Sequence, residues 1–334
     1  MKTATSGRHD LVISTSPFLH DEATTPRIML DVFLATIPVL LLACWYFGLG
    51  VLLVVAAATL GAVGTEWFFS RGKQPSTVRD FSALLTGVLL GLILPPGFPL
   101  WMAFLGGVAG IGLGKLIWGG LGQNVFNPAL VGRAFLQAAF PTAITTWMDP
   151  AQGIFSVSGR LFALPLLQAG ADSVSSATPL GLFKFSDQLT ELMPLLVGKT
   201  GGSIGETSGL LLILCGLWLA WRRVFDWRLP VSTVLSVAFF SGIFFLIDSE
   251  KYPSPLFMVF SGGLLFAAVF MVTDPVSTPT TVKGAWIFGF GTGFLVVLIR
   301  LFGGLPEGVM YSILLMNAVT PYINHYTQPR RFGG

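Results

Sequence analysis

The sequence predicts an all-α polytopic membrane protein with about ten transmembrane helices, arranged as two five-helix inverted repeats. Three observations carry that expectation. The 334 residues are 53% hydrophobic and only 10% charged, with a mean hydropathy of +0.76, where a soluble domain carries roughly 25% charged residues. Apolar runs of spanning length recur from residue 28 to residue 323. One long connection, about 148–206, divides those runs five and five, which gives two halves of opposite orientation.

Residues 1–26 are rich in Ser, Thr and charge and lack the basic, apolar and cleavage regions of a signal peptide, so they read as a cytoplasmic N-terminal segment. The first run, Ile28 to Phe47, is long enough to be retained as a span. Further windows follow at about 50–69, 81–96, 98–118 and 128–147, completing a first membrane half over 27–147. The third window stops at Pro95-Pro96-Gly97, and the fifth contains Arg133 and Pro141. After the long connection come windows at about 207–221, 230–247, 255–272, 284–302 and 307–323, forming a second half over 207–323. A cytoplasmic tail, 324–334, ends the chain. Asn127-Pro128 after the fourth window and Asp274-Pro275 after the eighth are the sequence marks of the repeat.

Charge sets the orientation. With the N-terminus in the cytoplasm, 14 of the 19 Lys and Arg residues fall inside, Arg133 among them. The connection 148–206 then lies outside. A net charge of +3 and a pI near 9.0 record this bias and give no support to a nucleic-acid partner. Cys44 and Cys215 both sit in apolar runs, too few for a disulfide framework or for the four thiolates of an iron–sulfur cluster. His9, His20 and His325 lie near the termini without metal-ligand spacing, and no HExxH, Ser-His-Asp or GxGxxG pattern in proper context supports a hydrolase, zinc enzyme or dinucleotide-binding protein.

Four polar stretches interrupt the apolar chain. "GGLGQNVFNPALVGR", Gly119 to Arg133, presents the amides of Gln123, Asn124 and Asn127, which offer donor and acceptor together as the edge of an isoalloxazine requires. It reads equally as a helix start capped by Asn and followed by Pro128. "GKTGGSIGETSG", Gly198 to Gly209, contains Gly201, Gly202, Ser203 and Thr207 ahead of a span. Backbone amides there can hold a phosphate, or the stretch is an ordinary capped loop; it is not a P-loop. "TDPVSTPTTVKG", Thr273 to Gly284, cannot be one helix, and Asp274 closes an apolar span. Together with Asp31 and Glu66, acidic residues inside or beside spans, Asp274 is a candidate for ion coupling.

The fourth stretch, "DSVSSATPLG", Asp172 to Gly181, lies in the long connection. It resembles the flavinylation motif D-x-x-[ST]-G-A-T, with Asp172, Ser175, Ala177 and Thr178 as matches and Ser176 where the motif has glycine. "SPFLHDEATTPRIMLDVFLATIP", "DFSALLTGVLLGLILPP", "GGLGQNVFNPALVGR", "GGSIGETS", "MVTDPVSTPTT" and "LPEGVMYSILLMNAVTPYI" resemble, in order, blocks of the RnfD subunits of Rnf electron-transport complexes, in the NqrB/RnfD family. A lead of 26 residues before the first span favours RnfD over the NqrB subunit of sodium-pumping NADH:quinone oxidoreductases. The resemblance implies a subunit carrying FMN as a phosphoester on Thr178, installed outside the cytoplasm by a flavin transferase, and a second, noncovalent flavin, riboflavin. It implies a translocase in the bacterial inner membrane, coupling ferredoxin/NAD electron exchange to Na⁺ or H⁺ movement with iron–sulfur and flavin partner subunits. Gly201, Gly202, Ser203 and Thr207 are then expected beside the FMN phosphate, and Gln123, Asn124 and Asn127 at the riboflavin edge. A flavin-free channel or secondary transporter with inverted repeats is the reading of another class.

Overall fold

In the computed structural model, which describes residues 24–71, 77–150, 153–164 and 175–329, five helices precede the long connection: α1 (Thr25–Phe47), α2 (Gly50–Ser70), α3 (Ser82–Leu92), α4 (Leu100–Ile111) and α5 (Pro128–Ala139). Short helices α6 (Pro141–Ile144), α7 (Pro179–Ser186) and α8 (Leu192–Val197) follow. The second half holds α9 (Gly209–Trp221), α10 (Arg228–Ile247), α11 (Pro255–Phe260), α12 (Leu264–Phe270), α13 (Val282–Phe302) and α14 (Val309–Thr327). Among the described residues one two-residue ladder forms, β1 (Trp147–Met148) antiparallel to β2 (Ser175–Ser176).

Helices α1, α2, α10 and α13 are each long and apolar enough to cross a bilayer, and shorter apolar helices occupy 82–92, 100–116 and 209–221. Their outward faces carry exposed Leu41, Trp45, Leu60, Leu217 and Phe239. Such helices are apolar all round, because both lipid and core favour it. The chain is a multi-pass membrane protein.

Three predicted windows end differently in the structure. The window 81–96 is helical only to Leu92. The window 128–147 stops at Ala139, because Pro141 has no N–H to continue the ladder and opens the separate α6. The window 255–272 is broken at Ser261-Gly262-Gly263 into α11 and α12. Starts are set by capping. Asn127 Oδ1 accepts from the N–H groups of Ala129 and Leu130 at 3.0 and 3.3 Å, with Pro128 next in chain. Thr178-Pro179 opens α7 and Ser254-Pro255 opens α11 in the same way. Asp274-Pro275 does not match Asn127-Pro128 here: it opens no helix, and its carboxylate closes a turn on Val276 N and Ser277 Oγ.

In each half the second helix makes its most extensive contact with the fourth, α2 with α4 and α10 with α13. Small residues allow this approach. A β-carbon at Gly107 would overlap Ala58 O, and one at Gly289 would overlap Ser232 Oγ.

The third member of each half is interrupted, and breaking a helix inside a bilayer frees carbonyls that need donors. Two arginines and a loop supply them. Arg133 Nη1 donates to Ile93 O at 2.6 Å, and the N–H groups of Gly205 and Ile204 donate to Leu92 O and Leu94 O at 2.5 and 3.0 Å. Arg300 Nη1 donates to Met258 O at 2.6 Å, and its Nη2 to Ser261 O at 3.0 Å. The segment 203–207 therefore sits against the end of α3, and it also meets the gap between α11 and α12, where Phe266 lies against Gly205.

Candidate functional site

Thr178 stands at a cavity of about 470 Å³, within the size range of small-molecule sites. As N-cap of α7, its Oγ1 accepts the Gly181 N–H at 3.0 Å, so the hydroxyl lies at the positive end of a helix. Two contacts fix the segment. The β1–β2 ladder pairs Trp147 with Ser176 just before it. Lys184 of α7 donates its Nζ to the carbonyls of Arg300, Gly303 and Leu305 at the end of α13. Ser176 is extended backbone in β2, a conformation that needs no glycine. Asp172 lies outside the described residues, and Ala177 is exposed at the cavity rim.

Trp147 and Phe185 supply aromatic wall, and Arg133, Gln137, Glu206 and Glu307 supply the polar end. Arg133 lines this cavity while its Nη1 serves the broken end of α3. Of the 198–209 stretch only Glu206 lines the cavity: Ser203 and Thr207 are buried with unpartnered hydroxyls, and Gly201 borders a separate small crevice. Gly201, Gly202, Ser203 and Thr207 do not line the cavity at Thr178; the N–H groups of Ile204 and Gly205 between them turn onto Leu94 O and Leu92 O, and Ser203 N onto Glu206.

Helix direction separates this cavity from a second. Helix α13 starts just after the Asp274 turn and ends beside the residues 304–307 that line the Thr178 cavity. Near its start a cavity of about 70 Å³ is bounded by Ser82, Lys115, Asn124, Asn127 and Asp274, with Met29 of α1 on its wall. Asn124 is buried; its Nδ2 bonds Phe126 O at 3.2 Å and its Oδ1 has no partner. Asn127 is committed elsewhere, capping α5 and bonding Met271 O at 3.5 Å, so the cap reading describes it fully. Gln123 is exposed and outside the lining. Asp274 lies in the connection after α12. Burial pushes its pKa up, against hydrogen bonds from Ser277 and Val276.

The other acidic candidates are paired. Lys115 Nζ, buried, lies 2.6 Å from Glu66 Oε1, 2.6 Å from Ser82 Oγ and 4.0 Å from Asp80 Oδ2. It sits in a π turn, Gly112–Leu116, of the kind that re-aims side chains at functional places. Arg222 Nη2 grips both oxygens of Asp31 at 2.8 and 2.9 Å, joining the end of α9 to α1. Sequence reasoning missed Lys115, Glu206 and Glu307; a lone lysine in an apolar run was the available signal.

The apolar helices and their packing define a multi-pass membrane protein. Residues 12–333 match the NQR2, RnfD, RnfE family. The D subunit of a proton-translocating ferredoxin:NAD(+) oxidoreductase complex from Clostridium ljungdahlii is 40% identical over 344 residues, covering 100% of this chain and 99% of that protein. The D subunit of an ion-translocating oxidoreductase complex from Yersinia pseudotuberculosis serotype O:1b is 40% identical, and that from Escherichia coli SE11 36%, each over 96% of this chain and 98% of its own. The chain belongs to the NQR2, RnfD and RnfE family, which places it among the subunits of ion-translocating oxidoreductases.

Proposed function

We propose that the chain is the RnfD subunit of a complex that couples ferredoxin/NAD electron exchange to Na⁺ or H⁺ movement, and that it carries FMN as a phosphoester on Thr178. The observation that carries this reading is the hydroxyl of Thr178 at the mouth of a roughly 470 Å³ cavity with aromatic walls and a charged end. Bound there, a flavin supplies one- and two-electron chemistry; the protein supplies position, water exclusion and charge. Thr178 Oγ1 provides the ester oxygen, and the N-terminus of α7 faces the phosphate. Trp147 and Phe185 flank the ring, while Arg133 and Gln137 meet its polar edge. Ten spans in two inverted halves, with both termini in the cytoplasm, put Thr178 on the outer side, where a flavin transferase acts.

The test is fluorescence of the chain in a denaturing gel, from cells that express the transferase. A flavin band is expected in the wild type and none in Thr178→Val, with FMN mass on the peptide spanning 161–184. A dark wild-type band would leave the channel or transporter reading standing.

Riboflavin is assigned to the Asn124 cavity, whose unpartnered Oδ1, with Lys115 and Ser82, suits a polar ring edge. At about 70 Å³ the space is far smaller than the ring, so these side chains would meet its polar edge alone. Asn124→Leu is expected to lose most acid-extractable riboflavin while the Thr178 fluorescence persists; unchanged extractable flavin would remove the assignment.

A further inference from the structure

The inner end of the Thr178 cavity brings together two carboxylates from distant parts of the chain. Glu206 arrives on the segment that packs against the break in α3, and Glu307 on the turn ahead of α14. They converge on the gap between α11 and α12. A β-carbon built at Gly263 would stand 2.9 Å from Glu206 Oε1 and 3.7 Å from Glu307 Oε2. Gly262, at φ +66°, allows the chain to turn there, and the Gly263 N–H donates to Glu307 Oε2 at 3.1 Å.

Their partners are unequal. Arg300 Nη2 lies 3.0 Å from Glu307 Oε1. Glu206 has, among the described residues, no ion pair and one backbone donor, Ser203 N at 3.4 Å. The charged groups facing Glu206 are Arg133 on α5 and Glu307; beyond them, Lys184 of α7 binds the carbonyls of Arg300, Gly303 and Leu305. Two like charges this close disfavour each other's ionisation, and the effect falls on the less well paired of the two. Glu206 lies in the connection ahead of α9. Burial first, and then the Glu307 charge, push its pKa up to about 7, against Arg133 and Ser203.

We propose that Glu206 is a redox-linked proton acceptor: its carboxylate binds one proton, delivered from bulk through water in the cavity, when the first electron enters the cofactor on Thr178, and releases it when that electron leaves. This rests on the flavin reading above. The electron comes from a flavin or iron–sulfur donor in a partner subunit; the proton comes from water, and one negative charge is matched by one positive charge. An added electron nearby favours the protonated carboxyl by the same repulsion that Glu307 already exerts. Glu307, paired with Arg300, is the like charge that raises the affinity of Glu206 for the proton.

Infrared difference spectroscopy on the purified complex separates the two readings. In complex built with Thr178→Val, a carboxylic-acid C=O band titrating near pH 7 is expected, absent in the Glu206→Gln variant of the same complex. Glu307→Gln, which keeps an acceptor for Gly263 N, is expected to lower that titration by roughly one unit, because a like charge is gone. In flavin-loaded wild type, dithionite reduction is expected to increase the band at pH 7 or above, and Glu206→Gln to abolish the increase. The proposal is overturned if no such band titrates near neutrality, or if it titrates but stays constant on reduction of a chain whose gel band is fluorescent. A titrating band in a wild-type chain whose gel band is dark, from cells that express the transferase, overturns the flavin reading, and the redox linkage with it.

Discussion

Lys115→Met is expected to destabilise the protein by about 3–5 kcal/mol, the cost of removing one partner from a buried ion pair. The lysine is almost wholly enclosed, and its ammonium lies 2.6 Å from both Glu66 Oε1 and Ser82 Oγ. Methionine fills similar space but leaves Glu66 as a buried anion whose Oε2 already lacks a partner. Water does not reach it to compensate, so the loss falls mainly on the folded state. The double variant Lys115→Met/Glu66→Gln removes both charges and is expected to regain most of the loss, because a neutral pair owes no ionic desolvation. Denaturation by SDS in mixed micelles measures both. If the single variant is as stable as wild type, the pair is not buried as described; if the double variant is no better than the single, the loss comes from packing.

That pair also marks the limit of what the residues alone convey. Apolar runs announced a membrane bundle because each span needs about twenty apolar residues whatever its neighbours do. The helix start at Asn127-Pro128 was legible for the same local reason: cap and proline act within one turn. Glu66 was legible as costly, yet its partner stands 49 positions away, and that of Asp31 stands 191 positions away. Nothing in a single chain records such pairing, which arises only when helices pack. The breaks at Pro95 and at Gly262-Gly263 were half visible. Proline and glycine show where a helix can stop, whereas the donors that make stopping tolerable, Arg133 and Arg300, come from other helices. For the same reason nothing within residues 198–209 marks Glu206 as cavity lining, because Arg133 and Glu307 reach it from other parts of the chain.

Arg300→Met is expected to cost a similar amount, about 3–5 kcal/mol, and to act at a different place. The guanidinium of Arg300 binds Met258 O, Ser261 O and Glu307 Oε1 at 2.6, 3.0 and 3.0 Å. Two of these acceptors are carbonyls freed by the break between α11 and α12, and the guanidinium that serves them is buried. Methionine strands all three, so the 258–263 segment should exchange its amide hydrogens faster than the rest of the bundle. Lysine retains charge but offers a point donor in place of a fork, so Arg300→Lys is expected to keep Glu307 paired and lose one carbonyl, at about 1–3 kcal/mol. Hydrogen exchange read by mass spectrometry on the two variants decides between roles. Equal damage from Lys and Met would mean that only the fork geometry matters and that the charge beside Glu307 contributes nothing. The expected ordering, Met worse than Lys, gives one arginine two duties: closing the backbone of a broken helix, and pairing Glu307, the carboxylate beside Glu206.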